Sequence, residues 1–486
     1  MTVLEDSSGI GNWPNLDPGL DPQAAAEDDA YFQAIYGDLF QLSGKGEIIP
    51  DLATGYSISS NAMTLTIDLR HGVTFTDGTP FNAAAVQYNL QRDLNPANAC
   101  ACIPFFPVSS VTTSGDYTVV MNLSRPFSPI VSSFPEEPPN WIESPTAIAK
   151  EGTKQFAVQP VGAGPFEVQS NSPDSELVLK KNPNYWQSGH PYLDSLVFKV
   201  VGTDQGALDA LETHEADMAQ QVGTYQVIQE AKKQAGLQVA ESPGAGTFGV
   251  QLNTRVAPFN NITAREALYY ATDPEAIDKA LIGGTGEVAE SGNGPASPYY
   301  EKTVPGYRTY DLAKAKALVK QLGGMTFTMG SFGPNPTLYE ALQSEWQAAG
   351  MHVTLSPINS LPALVQDFYT KTWQALLGGC GGIDPAIGAG SLSWRCLSTG
   401  PFDGLTDTHL DSMINQAAAY TSTASRAAEY KKVYEYISQQ AYLPFLYSMP
   451  AYNIATTNAH GPGISSSSPS SQGVEETPFW PDVWVS

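Results

Sequence analysis

The sequence predicts an α/β fold made of two or three domains. The chain has 486 residues, and single hydrophobic cores usually stop growing at about 250–300 residues. Hydrophobic residues make up 42% of the chain, which allows a large core and excludes global disorder. In the second half, helical patterns alternate with short apolar strands, and this order is typical of a mainly parallel sheet.

Two helix–strand units support the prediction of a parallel sheet. The helical pattern Leu338–Ala349 stops at Gly350 and is followed by the alternating strand Met351–Ser356. A second helix, Leu361–Tyr369, precedes the apolar strand Gln374–Gly378. The repeated order indicates that successive strands run in the same direction.

The first half contains strands, tight turns and helices. The alternating run Thr64–Leu69 predicts a half-buried strand. Asp77-Gly78 predicts a tight turn, and Asn82 is placed to cap the Ala-rich helix that follows it. The Pro-rich residues 134–145 predict a loop.

Charge and hydropathy narrow the classes of partner. The net charge of −25 repels nucleic acid and anionic membrane surfaces, so neither is expected as a partner. No window approaches 18 consecutive apolar residues, so no transmembrane helix is expected. The first residues lack the basic and apolar regions of a signal peptide. The chain is then either cytosolic or the mature form of a secreted protein with a start Met added.

The chain has four cysteines. Cys380 and Cys396 are spaced so that they could close one loop, whereas the C-x-C spacing of Cys100 and Cys102 is poor for a mutual disulfide. A pairing between the two sets would instead join distant parts of the chain. Because there is no C-x-x-C pair and the six histidines are scattered, we expect no metal and no cofactor.

Six segments share the order and spacing of motifs from one receptor family. They are Glu47–Ala53 (EIIPDLA), Leu69–Phe81 (LRHGVTFTDGTPF), Pro160–Phe166 (PVGAGPF), Lys181–Trp186 (KNPNYW), Asn261–Ile277 and Leu342–Val353. Together they resemble the family 5 extracellular solute-binding proteins, the receptors of peptide-type and nickel-type ABC importers. The likeness extends from about residue 36 to residue 455.

This resemblance implies the two-lobed periplasmic-binding-protein type II (Venus flytrap) fold, in its large variant. Lobe I would comprise residues 1–247, with residues 46–160 as an extra subdomain. Lobe II would comprise 248–454, and the tail 455–486 would return to lobe I. A ligand would lie in the cleft, and the lobes would close on it by hinge motion.

The resemblance also implies a function. It indicates a non-enzymatic, monomeric receptor that delivers a small or oligomeric solute to the permease subunits of an ABC importer. Such a receptor works outside the cytoplasm, in the periplasm or as a lipoprotein anchored at the cell surface. The signal sequence would then be absent from this chain.

A glycine-rich run is the first candidate ligand site. Gly378–Gly382 follows an apolar strand at the C-terminal edge of the predicted sheet, where open α/β sheets bind ligands. Gly379, Gly381 and Gly382 would let a ligand or the other lobe approach the backbone closely. A purely structural role for these glycines stays equally open.

The other predicted ligand contacts are aromatic or basic residues on loops: Trp13, Trp141, Trp394 and Arg395. Arg395 could clamp a carboxylate through two hydrogen bonds, and its alternative role is a surface ion pair. A disulfide between Cys380 and Cys396 would fix the Trp-Arg pair and reduce the entropy lost on binding. For each Trp, the alternative is packing in a core or anchoring of a loop.

Two departures from the family pattern bear on the ligand. Many short-peptide receptors of this family hold the peptide amino group with an Asp, which corresponds here to Gly382. Dipeptide-type members hold the carboxylate with an Arg, which corresponds here to Pro336 or Thr337. Losing such a charge partner costs about 2–5 kcal/mol. A short zwitterionic peptide is therefore not expected, whereas a longer peptide bound through its backbone escapes this argument.

Two other classes of function stay open. A hydrolase, such as a glycosidase, could use carboxylates of Glu136, Glu137 or Glu143 in the cleft. Adjacent glutamates in a Pro-rich loop are more often solvated, and the chain has no G-x-S-x-G motif. The last alternative is an assembly or chaperone-like protein without a small ligand.

Overall fold

A computed structural model describes most of the chain. The described residues are 1–6, 15–20, 29–43, 47–98, 100, 102–103, 106–332, 336–359, 363–364, 366, 373–387, 405–448, 450–464 and 478–486. They form two compact units. The first unit comprises Met1–Ser242 with Ala451–Ser486, and the second unit comprises Pro243–Pro450.

Strands and helices are numbered here in chain order across both units. The strands are β1 (Thr2–Asp6), β2 (Phe40–Leu42), β3 (Ile48–Pro50), β4 (Ala53–Ile58), β5 (Thr64–Leu69), β6 (Val108–Thr113), β7 (Thr118–Leu123), β8 (Phe166–Ser172), β9 (Glu176–Lys181), β10 (Ser195–Val201), β11 (Met218–Ala219), β12 (Leu237–Ser242), β13 (Gly246–Leu252), β14 (Glu287–Val288), β15 (Met325–Ser331), β16 (Met351–Pro357), β17 (Ala375–Gly381), β18 (Tyr447–Ser448), β19 (Ala451–Thr456), β20 (Ala459–His460) and β21 (Trp484–Val485). The helices are α1 (Asp29–Tyr36), α2 (Ala83–Asp93), α3 (Pro145–Glu151), α4 (Thr153–Phe156), α5 (Asp204–Glu212), α6 (Tyr225–Ala231), α7 (Ile262–Ala271), α8 (Pro274–Ile282), α9 (Leu312–Gln321), α10 (Pro336–Ala348), α11 (Thr408–Ala419) and α12 (Thr423–Gln440).

A seven-stranded mixed sheet organises the first unit. Its order is β12-β19-β11-β1-β10-β9-β8. Strand β1 runs parallel to β10 and β11, and the remaining neighbours are antiparallel. Phe32 of α1, Trp141 and Trp480 are fully buried against this sheet, in one cluster that includes Phe198 of β10. The C-terminal residues therefore complete the core of the first unit.

A four-stranded antiparallel sheet, β4-β5-β7-β6, lies within residues 46–160. Its central strand β5 alternates buried and more exposed residues, as the period of Thr64–Leu69 predicts. Helix α2 begins as expected, because the Asn82 side chain accepts a hydrogen bond from the Ala85 N–H at 3.0 Å. Whether residues 46–160 form a separate subdomain stays a prediction.

The second unit is built on the sheet β13-β17-β15-β16. Strand β15 is parallel to both β16 and β17, which confirms the predicted parallel order, and β13 is antiparallel to β17. Helix α10 connects β15 to β16 and buries Leu338, Leu342 and Trp346 along one face. The Trp346 indole donates to Thr272 Oγ1 at 3.0 Å, and the ring is fully buried in the core of the second unit.

The chain passes between the units at Ser242/Pro243 and at Pro450/Ala451, whereas the sequence placed these passages at 247/248 and 454/455. Strand β13 already belongs to the sheet of the second unit at Gly246. Strand β19 pairs with β12 of the first unit from Ala451 onward. The boundaries therefore lie just before each of these strands.

The structure corrects the prediction for one cysteine pair. Cys100 and Cys102 form a disulfide with an S–S distance of 2.06 Å and a Cα–Cα distance of 5.2 Å. The Cα separation lies inside the usual range for a disulfide, so the C-x-C spacing is compatible with a mutual bond. Among the described residues, no helix is both long and apolar enough to cross a membrane.

Candidate ligand site

The glycine run Gly378–Gly382 lies at the end of β17, between β13 and β15. In the register with β13, Gly381 faces Gly246 and Gly379 faces Phe248. The carboxyl ends of the parallel strands β15, β16 and β17 lie at this same edge of the sheet. This is the position where open α/β sheets bind ligands.

Gly381 is required by a close backbone contact. A Cβ at this position would lie 1.8 Å from the Gly292 carbonyl oxygen, and the residue has a φ of +79°. Both conditions exclude a side chain without movement of the backbone. Gly379 differs, because a Cβ there would meet no atom within 4 Å.

This difference gives a matched pair of substitutions. Gly381→Ala is expected to lower the free energy of unfolding by roughly 2 kcal/mol, because it adds both a backbone clash and an unfavourable positive φ. Gly379→Ala is expected to change it by less than about 0.5 kcal/mol. Urea denaturation of both variants checks the prediction, and equal stabilities would contradict it.

A polar segment before the run holds the backbone that follows β17. The Asn293 side-chain NH₂ donates to the Gly382 carbonyl at 2.7 Å and to Ser297 Oγ at 3.0 Å. The Ser297 hydroxyl in turn donates to the Ile383 carbonyl at 2.9 Å. Tyr434 of α12 donates to Asn293 Oδ1. These bonds fix the chain at the exit of β17, so the edge is pre-organised.

Asp384 anchors the same turn to α12. Its Oδ1 accepts hydrogen bonds from the Tyr430 hydroxyl at 2.9 Å and from the Ala386 N–H at 3.0 Å. Arg426 Nε donates to the Tyr299 hydroxyl at 2.7 Å and lies 3.2 Å from Asp384 Oδ2, so this ion pair rests on charge rather than on an aligned hydrogen bond. Burial, together with Asp384, raises the pKa of Tyr430 well above its usual value. Tyr430 is therefore a neutral donor.

The prediction that Trp141 contacts the ligand is wrong. Its side chain is 0% exposed and packs against Phe32, with ring centroids 4.8 Å apart. Its indole N–H donates to Asp38 Oδ1 at 3.0 Å. Both the ring face and the indole N–H of Trp141 thus make contacts within the core of the first unit.

Three further predicted contacts, Trp13, Trp394 and Arg395, lie outside the described residues, and so does Cys396. Cys380 is 1% exposed and is disulfide-bonded. The pairing of Cys380 with Cys396 stays a prediction, as do the three ligand contacts.

The carboxylates proposed for a hydrolase do not form a free pair. Both oxygens of Glu143 accept hydrogen bonds from Arg92 Nη1, at 2.9 and 2.8 Å, and the side chain is buried. Glu137 is only 4% exposed. The Glu136 side chain lies outside the described part of the chain. Among the described residues, no group of three or more His, Cys, Asp or Glu could hold a metal ion.

The motif at Leu69–Phe81 has a structural role. The Asp77 side chain accepts from the Thr79 N–H at 2.9 Å and from the Ser144 hydroxyl at 2.7 Å. Ser144 also caps α3 by accepting from the Ala147 N–H at 3.2 Å. The turn therefore fixes the start of α3, and it forms at Asp77-Gly78 as the sequence predicts.

Sequence reasoning missed Asn293, Ser297 and the α12 residues that support the glycine run. One signal was present, because Asn293 lies between Gly292 and Gly294, and this composition is typical of a tight loop. The α12 residues gave no signal of their own, since helix periodicity alone does not distinguish core tyrosines from tyrosines that donate to a loop.

Comparison with known proteins identifies the family. Residues 47–396 match the profile of the bacterial extracellular solute-binding proteins, family 5. Glutathione-binding protein GsiB of Salmonella typhimurium is 33% identical over 330 residues, which cover 67% of this chain and 64% of that protein. GsiB of Escherichia coli strain K12 is 32% identical over the same extent. The match thus covers less than two thirds of the length of these relatives.

Solved structures share the fold over nearly the whole chain. A dipeptide-binding protein from Pseudoalteromonas sp. SM9913 in complex with Met-Leu has a TM-score of 0.82 at 19% identity, covering 100% of both chains. AgaA from A. tumefaciens R10 in complex with agropinic acid has a TM-score of 0.80 at 21% identity, covering 100% of this chain and 99% of AgaA. These likenesses establish the two-lobed α/β fold of periplasmic binding proteins. The profile match across residues 47–396 shows that this chain belongs to family 5 of the bacterial extracellular solute-binding proteins.

Proposed function

We propose that this protein is an extracytoplasmic receptor that binds a solute and delivers it to the permease subunits of an ABC importer. The observation that carries the proposal is the family 5 profile match across residues 47–396. We further propose that it acts as a monomer, in the periplasm or as a lipoprotein at the cell surface. Cleft closure around the solute would present the closed form to the importer.

The glycine run at the end of β17 is the proposed contact with the solute. Gly379 leaves open space above the backbone, and the family resemblance implies that Gly382 corresponds to the Asp of many short-peptide receptors. A solute without a free α-amino group to be held at this point therefore fits best. Trp13, Trp394 and Arg395 remain proposed partners for an apolar or carboxylate-bearing part of it.

The proposed receptor has no catalytic step. Glu143, one of the three candidate acids, is held by Arg92 through both of its oxygens. A general acid or nucleophile needs access to its substrate, and this buried carboxylate has none.

Ligand-dependent thermal stabilisation tests the receptor proposal. Native mass spectrometry of the purified protein would first identify any solute that is retained. Adding that solute at about one hundred times its Kd should stabilise the protein by about 2.7 kcal/mol, which corresponds to a Tm increase of about 3 °C for a chain of 486 residues.

Two reference solutes sharpen this test. Glutathione, named for the GsiB relatives, and the dipeptide Met-Leu, named for a structural neighbour, both carry an α-amino group. We expect neither to raise the Tm as much as the retained solute. A larger shift with Met-Leu would overturn the proposed ligand class. Chemical turnover of the retained solute would overturn the receptor itself.

A further inference from the structure

The second unit contains a cavity that the proposed receptor function does not use. It has a volume of about 340 Å³ and lies between the end of α7, the start of α8 and the segments 288–290, 307–310 and 444–445. All of its lining residues belong to Pro243–Pro450. The volume falls within the range of about 300–1,000 Å³ that small-molecule sites occupy.

Aromatic rings form one wall of this cavity. Tyr269 and Tyr307 have ring centroids 5.4 Å apart at an interplanar angle of 65°. The Tyr269 hydroxyl donates to the Leu443 carbonyl, and the Tyr307 hydroxyl accepts from the Phe445 N–H at 3.0 Å. Because the backbone occupies the Tyr307 hydroxyl and Tyr269 is only 2% exposed, the aromatic surface that this pair offers to a ligand is the ring of Tyr307. Tyr310 lines the same cavity and is 43% exposed.

The remaining wall carries negative charge. Asp273, Glu275 and Glu290 line the cavity. The Asp273 and Glu290 carboxylates accept backbone N–H groups, from Ala276 at 3.1 Å and from Val304 at 2.6 Å. Within the described chain, none of the three acids forms an ion pair with a lysine or arginine. Their charges are therefore available to a ligand.

Arg308 is the one basic residue of the lining, and its guanidinium already has partners within the protein. Its Nη2 lies 2.7 Å from Glu266 Oε1, and its guanidinium also donates to the carbonyls of Ser438 and Gln439. Its positive charge is balanced by Glu266, which is not part of the lining. The cavity as a whole thus faces its contents with negative charge and aromatic surface.

We propose that this cavity is a second ligand site, which binds an organic cation consisting of an ammonium group on an apolar body. The negative faces of tyrosine rings attract a cation within about 6 Å of the ring centroid. The carboxylates of the lining add attraction for a cation, and Val288 and Pro444 of the lining suit the apolar body. An anionic ligand would meet like charge on the same surface.

Calorimetric titration of the whole protein with benzylammonium tests the proposal. For a ligand of this size, we expect a Kd on the order of 1 mM. Benzyl alcohol keeps the ring and removes the charge, and it should bind at least about fivefold more weakly. Equal binding of the two compounds, or no binding of benzylammonium, would overturn the proposal.

Substitutions of cavity residues test whether benzylammonium binds in this cavity. Glu290→Gln keeps an acceptor for the Val304 N–H and removes the charge, and Tyr310→Ala removes the exposed ring. Each should weaken benzylammonium binding by roughly threefold, which corresponds to the energy of one exposed cation contact. Glu176→Gln, on β9 of the first unit, removes one exposed carboxylate and should leave the Kd unchanged. Unchanged affinity in both cavity variants, with unaltered urea midpoints, would overturn this site while leaving the proposed receptor untouched.

Discussion

Replacing Arg92 by methionine is expected to lower the free energy of unfolding by about 3–5 kcal/mol at neutral pH. Arg92 Nη2 lies 2.5 Å from Asp17 Oδ2, and Nη1 lies 2.8 Å from Glu143 Oε2. The Arg92 side chain is 9% exposed, and both acids are 1% exposed. Methionine preserves much of the buried volume and removes the positive charge that is paired with both carboxylates.

The cost is large because a third acid belongs to the same cluster. Asp93 is buried, and Arg92 and Asp17 act on its pKa in opposite directions. Burial and the neighbouring Asp17 raise the pKa of Glu143 even with Arg92 in place. Without Arg92, the folded protein must bury uncompensated charge or take up protons, and both cost free energy.

Urea denaturation at pH 7 measures this effect. Lys199→Met is the control, because Lys199 forms an exposed ion pair with Glu176 at 3.5 Å, and such pairs contribute at most about 1 kcal/mol. Adding Glu143→Gln to Arg92→Met should recover part of the loss, since the double variant buries one charge fewer. A loss for Arg92→Met no larger than that of the control would contradict the prediction.

Features set by neighbouring residues could be predicted from the sequence. Asn82 caps α2 as expected. Asp273 caps α8 by accepting from Ala276 at 3.1 Å, with Pro274 in the first turn. In both cases the atoms that decide the structure lie within three residues, so local chemistry is sufficient.

Features set by residues far apart in the chain could not be predicted from the sequence. Trp141 was expected on a loop facing the ligand, but its indole partner, Asp38, lies 103 residues earlier in the chain. Glu143 was a candidate acid, but Arg92 lies 51 residues earlier. A sequence shows that a residue is aromatic or acidic, whereas burial and pairing depend on which distant segments fold against it.

The glycine run has one feature that could be predicted from the sequence and one that could not. Its position at the end of a strand followed from pattern alone. Which glycine is indispensable did not, because the carbonyl that excludes a side chain at Gly381 belongs to Gly292. The sequence therefore located the candidate site and left the role of each residue in it undetermined.

The free energy of unfolding is expected to decrease as the pH rises from about 5 to about 8. Burial raises the pKa of Asp51 to about 7 and the pKa of Asp93 to about 8. Arg70 opposes the shift at Asp51, and Arg92 opposes it at Asp93. In the unfolded chain both carboxyls titrate near pH 4. Between these values the folded state binds more protons, so raising the pH favours unfolding.

The sign and the size of the change in the free energy of unfolding follow from this difference in bound protons. The stabilisation is fully present below about pH 4 and is lost as the pH passes through the folded pKa values of about 7 and about 8. At about 1.4 kcal/mol per pKa unit, the two carboxyls should lower the free energy of unfolding by on the order of 6 kcal/mol between pH 5 and 8. Urea denaturation at several pH values in constant salt would measure it.

Substitution of Asp51 distinguishes this cause from general charge repulsion. The net charge of −25 also destabilises the folded state as carboxylates ionise. Asp51→Asn and Asp116→Asn each remove one carboxyl, but Asp51 is buried and Asp116 is exposed. Only Asp51→Asn should flatten the dependence of stability on pH. Equal slopes in the two variants would assign the effect to overall charge, because the two proteins differ only in where the carboxyl was removed.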